Sequence, residues 1–219
     1  MGTCCVVASA WRGPFGMQLF SRLRFLLRPS KPWVTFSHMQ RVMIIGQPGS
    51  GKSTLARHLG DKTFLPVIHI DHIHWKSGWV ERDSAEKTQM TLDAIEQPKW
   101  IFEGGHSVTW PERLARADTL IWLDLPVGLR LRRVLWRSLR YFGQSRPDLP
   151  KGCPEQLDWE FLSFIWRTRN SSREKARALY ENAPLEKTRY HFTSPAQVHN
   201  FLSNLETALA IGNLGVPHR

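Results

Sequence analysis

The chain predicts an α/β fold: a parallel sheet covered by helices on both faces. Three observations carry that expectation. Short runs that are apolar throughout recur along the sequence, the pattern of strands buried on both faces rather than one. Segments with helical spacing separate those runs, an alternation that leads to parallel strands joined by crossover helices. A glycine-rich segment follows the first run and directly precedes a helix, as in folds that bind ligands at the carboxyl edge of a sheet.

The elements follow in order. Arg41–Ile45 reads as the first strand, closed by Gly46, and a helix spans about 52–59. Pro66–Ile70 is the second strand, and a helix fits 84–97 with Asp83 and Ser84 as candidate caps. Lys99–Phe102 and Thr119–Leu123 are the third and fourth strands, and Arg189–Phe192 is a weaker fifth. Ser194-Pro195 opens the last helix. Residues 143–155, rich in Gly and Pro, read as a mobile loop. A long helix then starts near 156, carries Leu157, Phe161, Phe164, Ile165 and Trp166 at helical spacing, and breaks at Asn170–Ser172. Loop and broken helix together suit a lid closing over a bound ligand.

Composition narrows the classes. With 219 residues and 42% apolar content the chain can bury a substantial core. No apolar run is long enough to span a bilayer. Three cysteines, Cys4, Cys5 and Cys153, make no disulfide framework, so a cytoplasmic setting is expected. The net charge of +11 is uneven. Residues 1–39 hold Arg12, Arg22, Arg24, Arg28 and Lys31 without an acid, and residues 1–38 read as a disordered extension ahead of the domain at 39–210. Residues 211–219 read as a tail. A second basic run, Arg130, Arg132, Arg133, Arg137, Arg140 and Arg146, also contains no acid. A cluster this local suits a polyphosphate better than an extended nucleic-acid face.

Gly46-Gln47-Pro48-Gly49-Ser50-Gly51-Lys52-Ser53-Thr54 matches G-x-x-x-x-G-K-[ST] between a strand and a helix. Glycines let successive backbone N–H groups turn in around a phosphate, and the helix N-terminus adds partial positive charge. Lys52 would reach the β- and γ-phosphates of ATP, and the Ser53 hydroxyl would take one Mg²⁺ position. These features define a P-loop nucleoside-triphosphate site. The chain has no Asn-Lys-x-Asp guanine signature, and the fourth strand ends in Asp124-Leu125-Pro126 without the glutamate a hydrolytic motor uses to orient water. Phosphoryl transfer therefore fits better than hydrolysis.

Asp71 ends the second strand, where a carboxylate can take a proton from an attacking hydroxyl. Glu103 closes the third strand in the same way and suits Mg²⁺-water or acceptor positioning. His69, His72 and His74 flank Asp71, but strand geometry splays them and no cysteine joins them, so no metal cluster is expected. His74 and Trp75 suit an acceptor pocket, with Trp79 and Trp110 as further walls. At about 100° per residue, Arg130, Arg133, Arg137 and Arg140 share one helical stripe, while Leu131, Val134, Leu135, Ser138 and Phe142 form another. The expectation is an apolar face packed inward and a guanidinium ridge starting at the phosphate edge, with Arg133 and Arg137 catalytic. Arg167 and Arg169, near the helix break, are candidate substrate contacts.

The Walker loop, His69-x-Asp71-x-x-His74-Trp75, Trp110-Pro111-Glu112-Arg113-Leu114 and Gly152-Cys153-Pro154-Glu155 together resemble the adenylate-kinase-related group labelled DNA topology modulation proteins. The resemblance covers about 40–205. It implies a nucleoside-monophosphate-kinase-like fold with five parallel strands in order 2-3-1-4-5, an acceptor-binding insert and a helical lid, about 141–175. It also implies that Gly46–Thr54 bind ATP, that Asp71 and Glu103 face the acceptor, and that Arg133, Arg137 and the lid arginines clamp phosphates. Classical adenylate kinases follow the third strand with Asp-Gly-x-Pro-Arg, whereas this chain has Glu103-Gly104-Gly105-His106. The function expected is transfer of the ATP γ-phosphoryl to a nucleotide or small hydroxyl metabolite by a monomer or dimer without membrane attachment. The competing expectation is a nucleotide-dependent regulatory ATPase that binds nucleic acid through the basic ridge.

Overall fold

The computed structural model describes residues 39–214, and their side chains as far as residue 210. The expected extension at 1–38 and the last five residues of the expected tail lie outside the described residues.

The sheet has five parallel strands. β1 (Arg41–Gly46) lies at its centre, between β5 (Trp100–Glu103) and β6 (Thr119–Leu123). β2 (Val67–His69) pairs with β5, and β7 (Thr188–Phe192) with β6, so the order is β2-β5-β1-β6-β7. A short antiparallel hairpin, β3 (Trp75–Lys76) with β4 (Val80–Glu81), separates the second and third sheet strands. Leaving that hairpin out of the count gives the expected order 2-3-1-4-5. Sequence periodicity could not show the hairpin, because two-residue strands carry no pattern.

Alternation along β1 divides the core. Val42 and Ile44 face one side, with Leu55, Ala56 and Leu59 of α1 (Lys52–Thr63) and Phe201 and Leu205 of α8 (Pro195–Leu214). Met43 and Ile45 face the other, with Ile70 and Ile73 of α2 (Ile70–His74), Ile95 of α3 (Ser84–Ile95), Leu114 of α4 (Trp110–Arg116) and Ala176 of α7 (Ser171–Glu181). Both faces of the sheet are thus dry, which is why its strands read as continuous apolar runs. Asp83 caps α3 by accepting from the backbone N–H groups of Ala85 and Glu86. The helix break expected at Asn170–Ser172 falls at 168–170, between α6 (Trp159–Arg167) and α7, which already includes Ser171 and Ser172.

Two expectations need correction. In α5 (Val127–Arg140) the inward residues are Arg130, Val134 and Ser138, whereas Leu135 is 36% exposed and Phe142, just beyond the helix, 66%. The helix packs on the phosphate loop, whose carbonyls at Pro48 and Ser50 need donors, so guanidinium groups take that face. Leu131 and Val134 do pack as expected, against Leu162 and Ile165 of α6. The loop at 143–155 is not loose. Phe142 and Ser145 form bridges to Glu155 and Pro154, and Cys153 is wholly buried. The Gly78 N–H donates to Gly152 O at 2.9 Å and Trp79 Nε1 to Pro154 O at 3.0 Å, docking the loop on the β3–β4 hairpin. Polar and Gly-Pro composition marks a segment without regular elements; it does not exclude side chains that anchor it.

Candidate functional site

All five sheet strands end at one edge, and a cleft of about 1130 Å³ opens there. The phosphate loop forms its floor. Ser50 N–H donates to Gln47 O at 3.2 Å and Leu55 N–H to Gly51 O at 2.9 Å, so the loop runs directly into α1. Gly49 has φ +77°, and a Cβ there would stand 2.5 Å from the Arg130 carbonyl oxygen. Only glycine lets the loop curl this tightly beneath α5. Arg130 fixes the same contact from the other side, donating to Pro48 O at 3.2 Å and Leu125 O at 3.1 Å. It is 2% exposed, so it is a buried brace and not a member of an open ridge.

Arg133 donates to Ser50 O at 3.1 Å and lines the cleft, as does Arg137. Lys52 rests its ammonium on Gln47 O at 3.3 Å. Burial lowers its pKa, an effect opposed by the charges of Glu103 and Asp71. The buried Ser50 hydroxyl has no partner among the described residues, and Ser53 stands in the first turn of α1 at the cleft wall. Inward amide turns, an unpaired buried hydroxyl, a lysine and Ser53 are the donor set that a triphosphate with Mg²⁺ requires.

Another wall of the cleft is built at the ends of β2 and β5. Their register pairs His69 with Glu103, and His69 Nδ1 lies 2.7 Å from Glu103 Oε1. Asp71 sits two residues beyond His69, in α2, facing the cleft. Burial first, then the charge of Glu103, raises its pKa to about 6, against the pull of Lys52 and Arg146. His74, Trp75, Trp79 and Trp110 line the same side. Trp75 meets His74 edge-on at 4.5 Å between ring centroids and Trp79 at 5.4 Å. Burial, followed by the charge of Lys87, lowers the pKa of His74, so neutral imidazole is its resting form at neutral pH. His69 and His72, expected to splay apart, approach to 5.9 Å between ring centroids because a helix starts directly after β2, and no cluster of His, Cys, Asp and Glu able to hold a metal occurs among the described residues.

The candidate lid arginines do not enter the cleft. Arg167 is exposed, and Arg169 turns its guanidinium onto Trp166 at 4.3 Å. Arg169 still touches the phosphate loop through its backbone, since Gln47 Nε2 donates to its carbonyl at 2.7 Å. Asp124, at the end of β6, is held by two bonds from Arg173 at 2.7 and 2.8 Å and by His191 at 3.2 Å. Although burial acts to raise its pKa, Arg173 and His191 hold the carboxyl below its ordinary value. That group ties the sheet to α7.

Sequence reading passed over two groups. Arg113 is fully buried and donates to the carbonyls of Gly104, Gly105 and His106, with its guanidinium 4.7 Å above Phe102. It shapes the turn after β5 where classical adenylate kinases place a different arginine. Arg146, Asp148 and Glu155 of the 143–155 loop join Arg137 of α5 in a second charged group at the cleft. The available signal was charge without an evident solvent face, in motifs already noted for other reasons.

An AAA domain matches residues 42–140. The chain is similar to a cytidylate kinase of Halobacterium salinarum, 33% identical over 118 residues, which are 44% of this chain and 58% of that protein. It is also similar to a shikimate kinase of Paracidovorax citrulli, 31% identical over 130 residues, 52% of this chain and 68% of the relative. Just over half to two thirds of these relatives' length is therefore spanned. Among solved structures, a shikimate kinase from Acinetobacter baumannii in complex with shikimate superposes with a TM-score of 0.51 at 18% identity, over 81% of this chain and 96% of that one. That likeness concerns the fold.

Proposed function

The chain belongs to the nucleoside-monophosphate-kinase-like family of P-loop kinases, and from that premise we propose that it transfers the γ-phosphoryl group of ATP to a small acceptor, a nucleotide or a small hydroxyl metabolite. Within the family we place it with the group labelled DNA topology modulation proteins, on the motifs around Asp71, Trp110 and Glu155. The observation that carries the reading is Asp71: a cleft-facing carboxyl whose pKa is raised to about 6, in a cleft it shares with the phosphate loop's lysine.

In this reading Gly46–Thr54 wrap the triphosphate, and Lys52 neutralises its β- and γ-oxygens. Ser53 would hold Mg²⁺, with Glu103 reaching it through water; bound there, the ion draws charge off the phosphate oxygens. Arg133 and Arg137 lie along the γ-phosphoryl. The acceptor rests against His74, Trp75 and Trp79, with its hydroxyl toward Asp71. The acceptor oxygen forms a bond to the γ-phosphorus as the bond from phosphorus to the ADP oxygen breaks. The hydroxyl proton passes to Asp71. The inward turn of Arg130 and the cleft position of Arg133 and Arg137 favour transfer over nucleic-acid binding, which would need those charges on an open face. No helix of the described residues is long and apolar enough to cross a membrane.

The test is ATP consumption against a panel of nucleoside monophosphates, sugars and shikimate, run beside Lys52→Ala. One acceptor class should raise turnover well above background, and the variant should lose about 100-fold or more of it. Equal turnover in the variant would refute the nucleotide site; no stimulation by any acceptor would refute transfer.

A further inference from the structure

Two guanidinium groups, one from α5 and one from the 143–155 loop, meet around one carboxylate. Glu155 is 4% exposed. Its Oε1 accepts from Arg137 Nε at 3.1 Å and from the Ser138 hydroxyl at 2.9 Å, and its Oε2 lies 2.7 Å from Arg146 Nε. Arg146 reaches on to Asp148 at 2.7 Å, and Asp148 stands 3.7 Å from Arg57 of α1. Positive and negative groups therefore alternate along one wall of the cleft, in the order Arg137, Glu155, Arg146, Asp148, Arg57.

The two inner guanidinium groups face different halves of the reaction centre. The charge of Arg137 acts on Lys52, beside the donor, and that of Arg146 acts on Asp71, beside the acceptor. Arg137 gives only Nε to Glu155; its two terminal nitrogens make no bond among the described residues. The same two cations oppose each other, since burial and then the charge of Arg146 lower the pKa of Arg137. Without a carboxylate between them, two desolvated like charges cannot share this wall, and one must swing to water.

We propose that Glu155 is a positioning residue for phosphoryl transfer, holding Arg137 and Arg146 together over the transferring group; the proposal rests on the phosphotransferase reading above. The geometry also joins this role to the docking of the lid. The Glu155 N–H donates to Gln144 O and the Gly143 N–H to Glu155 O, each at 2.9 Å. Three residues earlier, Gly152 is anchored to the β3–β4 hairpin. Arg146 belongs to the same loop as Glu155, so it is the seating of that loop on the hairpin that sets the reach of the carboxylate to Arg137 on α5. This follows the general rule that outer partners orient the groups that touch substrate.

The experiment is Glu155→Gln, which keeps volume and can still accept from Ser138 but loses the charge. ATP affinity, melting temperature and kcat are measured on the full chain, using the acceptor found in the panel. The expected result is a fall in kcat of about 10–100-fold, the usual scale for an outer partner, with the Kd for ATP within about threefold of wild type. Glu155→Asp, which keeps the charge, should regain part of the loss. Ser138→Ala, which removes the neutral partner of the same oxygen, should leave kcat within about threefold. A kcat for Glu155→Gln within threefold of wild type overturns the assignment. So does a parallel loss of melting temperature, ATP binding and turnover that Asp does not relieve, because that is the signature of a structural role. Failure of the wild-type protein to bind ATP or to transfer to any acceptor overturns the phosphotransferase reading itself, and this assignment with it.

Discussion

Replacing Asp71 with Asn should make the protein more stable and nearly inactive. The carboxyl sits in α2 at the cleft, and burial and Glu103 raise its pKa from 3.8 to about 6. A shift of about two units corresponds to roughly 3 kcal/mol, at about 1.4 kcal/mol per unit. One side of the group faces the open cleft, so solvent screening reduces the expected value to about 1–3 kcal/mol. The sign follows from proton binding. Between pH 3.8 and about 6 the folded state holds this proton more tightly than the unfolded chain does. Stability is therefore lost as pH rises through that window, and the whole penalty is present at pH 7. Asparagine has the same shape and never ionises. Urea unfolding at several pH values should find the variant equal to wild type near pH 4 and more stable by about 1–3 kcal/mol at pH 7. Its kcat should fall about 10²–10⁴-fold, the range of a lost general base, with little change in ATP affinity. In the wild type, kcat/KM should rise with pH through an apparent pKa near 6. A stability difference that stays flat from pH 4 to 7 would refute the electrostatic account, and transfer within a few-fold of wild type would refute the base.

Gly49→Ala places a side chain at φ +77° and 2.5 Å from the Arg130 carbonyl. The left-handed backbone alone costs about 1–2 kcal/mol, so ATP affinity by titration should fall at least tenfold; unchanged affinity would show that the loop is not the binding surface. Arg113→Met removes the donor for three carbonyls in the turn after β5. Gly105 O keeps its bond from Trp110 Nε1 and His106 O its bonds from Thr109, so Gly104 O is the buried carbonyl left without a donor, at a cost of about 1–3 kcal/mol. Chemical denaturation should therefore show a loss of about 1–3 kcal/mol, and a loss well under about 1 kcal/mol would mean that water replaces the guanidinium.

The phosphate loop, the buried strands and the α3 cap were legible in the sequence because each depends on neighbours within a few residues or on a period, whereas the strand order, which rests on distant pairing, came from the family resemblance. Gly46–Thr54 needs only its own spacing and the strand before it. The buried parallel sheet announces itself because β1, β5 and β6 are dry on both faces and so carry no polar alternation. Asp71 and Glu103 could be placed at the carboxyl edge because each lies at or just past the end of a strand.

Tertiary structure alone decided the rest. Helical spacing put Arg130, Arg133 and Arg137 on one stripe, but which stripe faces inward depends on what α5 packs against. A loop of unpaired carbonyls attracts guanidinium groups where a strand would have attracted leucines. The acidity of Asp71 depends on the water removed around it and on the charge of Glu103, and the His69–Glu103 pair depends on the register of β2 against β5. Glu155 finds Arg137 across 18 residues and Arg146 across the turn of the same loop. Spacing fixes what a segment can form by itself; desolvation and the meeting of distant charges are set only when the chain closes on itself.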